Sequence, residues 1–135
     1  MFTTIDTDYD VPLSTRVKTI NRYCDKYGTS NIISVSIHCD AKGSGSKWEN
    51  ARGWSVRVAL KHSLNTQKLA WSLYNAANNL GIKTRPYSAK EVYWPQNLAI
   101  CRDTKCPAVL TENLFMDNLD DCKYLLTEEG KNTIT

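Results

Sequence analysis

The chain has no Cys-x-x-Cys pair among its five cysteines and only two histidines in 135 residues. A structural zinc site of the paired-cysteine kind is therefore excluded. The odd cysteine count gives no closed disulfide framework, and a reduced compartment during synthesis is the simpler inference. No apolar run approaches the roughly 20 residues that cross a bilayer, and the first residues show no basic segment followed by an apolar stretch. Neither a membrane span nor a signal peptide is read here. The formal charge of +3 is small and dispersed, which favours approach to an anionic surface only mildly. Tyrosines and tryptophans are scattered rather than set in a basic-aromatic pattern, so base stacking and nucleic acid are set aside. No repeat or linker interrupts the text. With 41% hydrophobic and 23% charged residues, the composition describes one soluble domain over 1-135 with enough apolar material for a single core.

What is present is a pair of segments that read as strands, each carrying a chemically capable residue toward its end. The first is Ile32-Ile33-Ser34-Val35-Ser36-Ile37-His38-Cys39-Asp40-Ala41, and the second runs from Pro107-Ala108-Val109-Leu110-Thr111-Glu112 to Asn118. An apolar, β-branched run is expected for a strand buried on both faces, and open α/β sheets place ligands beyond the carboxyl ends of their strands. Imidazole is a common zinc ligand, and a carboxylate at a metal site can take a proton from water and pass it to a leaving amine. A structural imidazole and an ion-paired glutamate account for the same residues. Successive strand residues face opposite sides, so Cys39 does not share a metal with His38 and does not form a thiol-imidazole pair with it, whereas Asp40 can face the same way. His62 is the other imidazole, between a strand from Trp54 to Leu60 and a helix.

Elsewhere, Leu13, Val17, Ile20 and Tyr27 recur at helical spacing, with Gly28 placed to end the helix. Lys42-Gly43-Ser44-Gly45-Ser46-Lys47 reads as a flexible loop beside His38. Trp48 and Trp54 each offer a flat apolar face to a ligand, and for Trp54 packing against the next strand accounts for the strand-period alternation equally well. Asn65 or Thr66 can cap a helix whose Leu69, Leu73, Ala76, Ala77 and Leu80 form an apolar stripe. Tyr87 to Pro95 reads as a surface connection, Leu98 to Cys101 as a strand, and Cys101 and Cys106 are close enough in sequence for a bridge to stay open. Asn118 can cap a last helix to about Leu126, with Asp120 and Asp121 in its first turn as structural acids. A short helical tail follows from Thr127.

Ser36-Ile37-His38-Cys39-Asp40-Ala41, followed some seventy residues later by Cys106-Pro107-Ala108-Val109-Leu110-Thr111-Glu112-Asn113-Leu114-Phe115-Met116-Asp117-Asn118, closely resembles the zinc-dependent N-acetylmuramoyl-L-alanine amidases. Pro12-Leu13-Ser14-Thr15-Arg16, Gly53-Trp54-Ser55-Val56 and Asp121 with Tyr124-Leu125 agree with the same family. The resemblance implies a three-layer α/β/α domain with a mixed sheet, and hydrolysis of the amide between N-acetylmuramoyl and L-alanine in peptidoglycan by a zinc-activated water. His38 matches a zinc ligand and Glu112 the catalytic glutamate; no substrate-binding residue is assigned. The family's first histidine, in a Gly-His-Gly turn after its first strand, and its ligand glutamate, on an early helix, have no counterpart here. The chain thus reads as the C-terminal portion of an amidase catalytic domain lacking the first strand and helix, with Met1 to Asp6 just before the Pro12 segment. The implied partners are peptidoglycan and a complementary N-terminal segment or chain, and the implied place of action is the bacterial cell wall. The alternative is a non-catalytic remnant that binds cell wall or such a chain. An uncovered central strand further implies marginal stability in isolation.

Overall fold

The structure, a computed structural model, describes residues 8–134. The expected position of Met1 to Asp6 lies outside the described residues. Helix α1 (Leu13–Tyr27) opens behind Pro12, whose fixed φ suits a helix start, and stops at Gly28, which takes the left-handed φ of 87° that a side chain would resist. A single 3-10 turn at Thr29–Asn31 leads into β1 (Ser34–Asp40). After the long loop come β2 (Ser55–Val58) and α2 (Leu64–Asn79), then β3 (Tyr93–Pro95), the short α3 (Ala99–Arg102) and β4 (Ala108–Phe115). Helices α4 (Leu119–Leu125) and α5 (Glu128–Ile134) close the chain.

The strands form one mixed sheet in the order β1-β4-β2-β3, with β1 parallel to β4, β4 antiparallel to β2, and β2 parallel to β3. Because side chains alternate along a strand, Val109 and Leu110 of β4 serve two different cores. Val109, with Val56 and Val58 of β2, packs under Ala70 and Ala77 of α2. Leu110 packs against Ile20 and Cys24 of α1 and Ile100 and Cys101 of α3. Helices therefore cover both faces of the central strands, the three-layer α/β arrangement expected.

Several local expectations are corrected. β1 is not buried on both faces: among the described residues it is a sheet edge, and Ile33, Val35 and Ile37 are 61%, 39% and 56% exposed. Leu98 to Cys101 is a helical turn rather than a strand, since Ile100 and Cys101 meet α1 and Leu110 instead of another ladder. Ser63, two or three residues earlier than expected, caps α2 by accepting from the Thr66 N–H at 3.1 Å. Tyr93 lies buried in β3, inside what reads as a surface connection. Cys101 and Cys106 are both free thiols, buried among apolar neighbours that raise their pKa to about 11 and about 12.

The Asn118 cap forms as expected, its side chain accepting from the N–H groups of Asp120 and Asp121. Asp121 does more than answer the helix dipole. Its carboxylate is 2% exposed and accepts from the N–H of Gly53 at 2.9 Å and of Phe115 at 3.2 Å while pairing with Arg52 at 3.0 Å. Asp120 also meets Arg52, at 3.2 Å, but is 70% exposed. Truncating Asp121 strands two backbone donors and a guanidinium, whereas Asp120 makes a solvent-screened pair. Chemical denaturation should therefore show Asp121→Ala losing about 3–5 kcal/mol and Asp120→Ala at most about 1 kcal/mol; equal losses would contradict this division.

Candidate active site

The parallel pairing of β1 and β4 sets Ser36 opposite Leu110 and His38 opposite Glu112. Paired residues share a face, so His38 and Glu112 project side by side on the α1 side of the sheet, near the carboxyl ends of both strands. On β2, Ser55 is opposite Glu112 and Arg57 opposite Leu110, which extends the same row. The imidazole and the carboxylate, seventy-four positions apart in the text, thus stand on one rim.

His38 is exposed and hydrogen-bonded through Nε2 to the Ser36 hydroxyl at 3.1 Å. Partial burial of the ring, then the nearby Arg16 guanidinium, lowers its pKa and favours the neutral imidazole, the form that binds metals. Arg16 is itself held at the head of α1, donating from Nε to the Val11 carbonyl at 2.7 Å and pairing with Asp10 at 2.7 Å. Glu112 is partly buried, and its Oε2 is buried without a hydrogen-bond partner. Burial first, then the charge of Asp40, pushes its pKa above the usual carboxylate range, while Arg57 works in the opposite direction. Asp40 is bound in turn by Arg57 at 3.1 Å and Arg85 at 3.4 Å.

The pair is braced from the other face of the sheet. Asn113 accepts from the buried Trp54 indole at 2.7 Å and donates to the His38 carbonyl at 2.9 Å, tying β1, β4 and the entry to β2 together. This answers the open question about Trp54: it is a packing residue that also orients Asn113. Trp48 stays at the surface, 57% exposed. Leu114 adopts φ 68°, unusual for a side-chain-bearing residue, inside β4 just after Glu112 and Asn113, where the ladder with β1 shifts register between the pairs His38–Glu112 and Asp40–Phe115. The following Asp117 accepts from the N–H groups of Lys42 and Gly43 at 2.8 and 2.7 Å, and Asn118 donates to the Glu49 carbonyl at 2.9 Å. The glycine-serine loop is thereby clamped beside the pair.

His62 is not brought to this rim. Since β2 runs antiparallel to β4, its far end points toward the start of β4, and His62 lies there against Tyr93, its Nδ1–H donating to the Ala59 carbonyl at 2.7 Å. It borders a cleft of about 440 Å³ lined also by Ser63, Thr66, Cys106 and Pro107, at the opposite end of the sheet from His38. Among the described residues, no group of three His, Cys, Asp or Glu side chains is placed to hold a metal ion. A catalytic zinc takes three protein ligands and a water, so one imidazole beside one glutamate does not fit a whole zinc site. Nor is any described helix long and apolar enough to cross a membrane.

An α/β domain with this topology has the architecture of cell-wall amidase structures. It is similar to the apo form of the N-acetylmuramyl-L-alanine amidase Ami1 from Mycobacterium abscessus, with 21% identity and a TM-score of 0.77, over 97% of this chain and 60% of that one. It is similar also to the N-acetylmuramoyl-L-alanine amidase of Clostridium difficile 630, with 19% identity and a TM-score of 0.76, over 94% and 61% of the two chains. The endolysin of Bacillus phage SPP1 is 31% identical over 102 residues, 76% of this chain and 35% of the endolysin. A family model described as N-acetylmuramoyl-L-alanine amidase matches residues 1–135, and the chain belongs to that family. It spans about a third of the length of its curated relative.

The raised pKa of Glu112 has a consequence for stability. An acid with a raised folded pKa stabilises the fold in its protonated form; that contribution is complete below the unfolded pKa of about 4.3 and is lost as pH rises through the folded value. Glu112→Gln, which stays neutral, should therefore gain stability relative to the parent chain as pH is raised from about 4 to about 7. Denaturation midpoints measured across that range check the sign; a variant that loses stability relative to the parent as pH rises would contradict the burial of this carboxylate.

Proposed function

We propose that this chain is part of an amidase catalytic domain that hydrolyses the bond between N-acetylmuramoyl and L-alanine in peptidoglycan, with Glu112 as its acid-base catalyst and His38 as a zinc ligand. The observation that carries this reading is the register His38 opposite Glu112, which sets a neutral imidazole beside a carboxylate with a raised pKa. Zinc, where such an enzyme binds it, polarises a carbonyl and lowers the pKa of its bound water. The residues present do not fit that ion alone, so the derivable chemistry is that of Glu112. Its carboxylate, with a pKa raised by partial burial and lacking a partner at Oε2, is suited to accept a proton from an attacking water and return it to the departing amine of L-alanine. Arg57, on the neighbouring strand, favours the carboxylate form that takes the first proton and is restored by the second transfer.

The clamped loop after β1 forms one border of the site, and exposed Trp48 gives it an apolar face that suits a sugar or peptide stem. The substrate is peptidoglycan and the place of action the bacterial cell wall, in keeping with the name of the endolysin relative. The incomplete metal set favours a second reading, a non-catalytic remnant that binds cell wall or a complementary chain.

Purified peptidoglycan incubated with the chain and excess zinc decides between the two. On the first reading, new alanine amino groups appear, and Glu112→Gln slows their release by about 10²–10⁴-fold without lowering the thermal midpoint. Sedimentation of the chain with peptidoglycan and no release at any zinc concentration would favour the second.

A further inference from the structure

We propose that the cleft at the far end of the sheet from the His38 rim is a second ligand site, one that takes a phosphate monoester of a small polyol or sugar. Its volume of about 440 Å³ is that of a small-molecule site. Ala108, on its floor, stands four residues before Glu112 along β4, about 13 Å away at the usual rise of a strand. The floor is apolar and closed, since Ala59, Cys101, Cys106 and Ala108 are all buried. The mouth is cationic: Lys61, Arg102 and Lys105 stand exposed around it, and no carboxylate is among the described residues that line it. An apolar floor under cations on facing walls suits a ligand with a carbon body and an anionic end.

The cations come from separate segments, each held in place. Lys61 lies in the link between β2 and α2, where His62 donates from Nδ1 to the Ala59 carbonyl at 2.7 Å and packs edge-on against Tyr93, and Ser63 caps the helix. Arg102 and Lys105 lie on the other wall, in the turn between α3 and β4. Asn21 of α1 secures that turn, donating to the Asp103 carbonyl at 3.0 Å and accepting from the Lys105 N–H at 2.8 Å. Lys61 makes no ion pair among the described residues. Arg102 pairs with Asp103 and Lys105 with Asp25, both at 2.6 Å, but these pairs are exposed and screened, so a bound anion exchanges with them at little cost. The first turn of the 16-residue α2 lines the cleft as well, and its dipole favours the same sign of ligand. Phosphate fits this charge better than carboxylate does. A phosphate monoester approaches two negative charges at neutral pH and presents three acceptor oxygens, enough to meet cations on both walls. The hydroxyls of Thr29 and Ser30 and the amide of Asn65, around the same cleft, supply hydrogen bonds for the hydroxyls of the polyol.

The test titrates the full chain with glycerol 3-phosphate at about pH 7.5, where the ester is doubly charged, and follows the backbone amides by NMR. Saturable shifts are expected at residues 61–66 and 102–106, with a Kd of about 1 mM or tighter that weakens as salt is added. Residues 36–40 and 112–116 should not respond. Lys61→Ala is expected to weaken binding at least about fivefold with no change in thermal midpoint, and the charge-keeping Lys61→Arg to stay within about twofold of the parent chain. Lys90→Ala, which removes the same charge from a residue that does not line the cleft, should bind as the parent chain does. Inorganic phosphate, which lacks the carbon body, and glycerate, which replaces the phosphate by a carboxylate, are each expected to bind at least about fivefold more weakly. Four results would each overturn the proposal: no saturation by about 20 mM ester, shifts centred on the His38 rim, the same loss in Lys90→Ala as in Lys61→Ala, or either comparison anion binding as tightly as the ester. Neither zinc nor peptidoglycan enters the measurement, so it is decided independently of the amidase reading of Glu112.

Discussion

The parallel register between β1 and β4 is the constraint on which the rest of the site depends. With His38 opposite Glu112, both side chains fall on the α1 face of one rim. A slip of one residue would turn the imidazole to the other face, level with Thr111 or Asn113, and leave Ile37 or Cys39 beside the carboxylate. The register is held by the backbone ladder, by Asn113 reaching the His38 carbonyl and by the Met116 N–H donating to the Asp40 carbonyl at 2.9 Å. The two-sided burial of β4 reinforces it, since Val109 and Leu110 cannot exchange cores without exposing apolar surface on both faces.

The residues after Glu112 work as a clamp on this arrangement. Asn113 reaches back to β1 and Trp54, Asp117 and Asn118 reach across to the loop at 42 to 49, and Asp121 reaches to Gly53. A single stretch of chain thus fixes the strand, the loop and the start of β2 around the carboxylate. The same tight anchoring explains how a loop rich in glycine and serine can border a site without dissolving it. The electrostatics follow from the same placement: burial and Asp40 keep Glu112 inclined to hold a proton, and Arg57 limits that inclination.

Much of this was legible in the sequence because strand ends and helix caps have local signatures. His38 and Glu112 were found by their place near the ends of apolar runs, Asn118 by its position before two acids, and α1 by its spacing and by Gly28. The roles of Asn113, Asp117 and Asp121 were not legible, because their partners lie 59 to 75 residues away and leave no periodic trace. The edge position of β1 was missed for a physical reason: a β-branched run reads alike whether its outer face is covered or open. Leu98 to Cys101 was misread because a four-residue apolar run has too little length to separate strand from helix, and the contact with α1 decided it.

Solution NMR offers the most direct check on the central claim, through cross-strand proton contacts between the segments 34–38 and 108–112. The account predicts contacts of the parallel register, with His38 level with Glu112 and Ser36 level with Leu110. Contacts displaced by a residue or more, or absent between these strands, would contradict it.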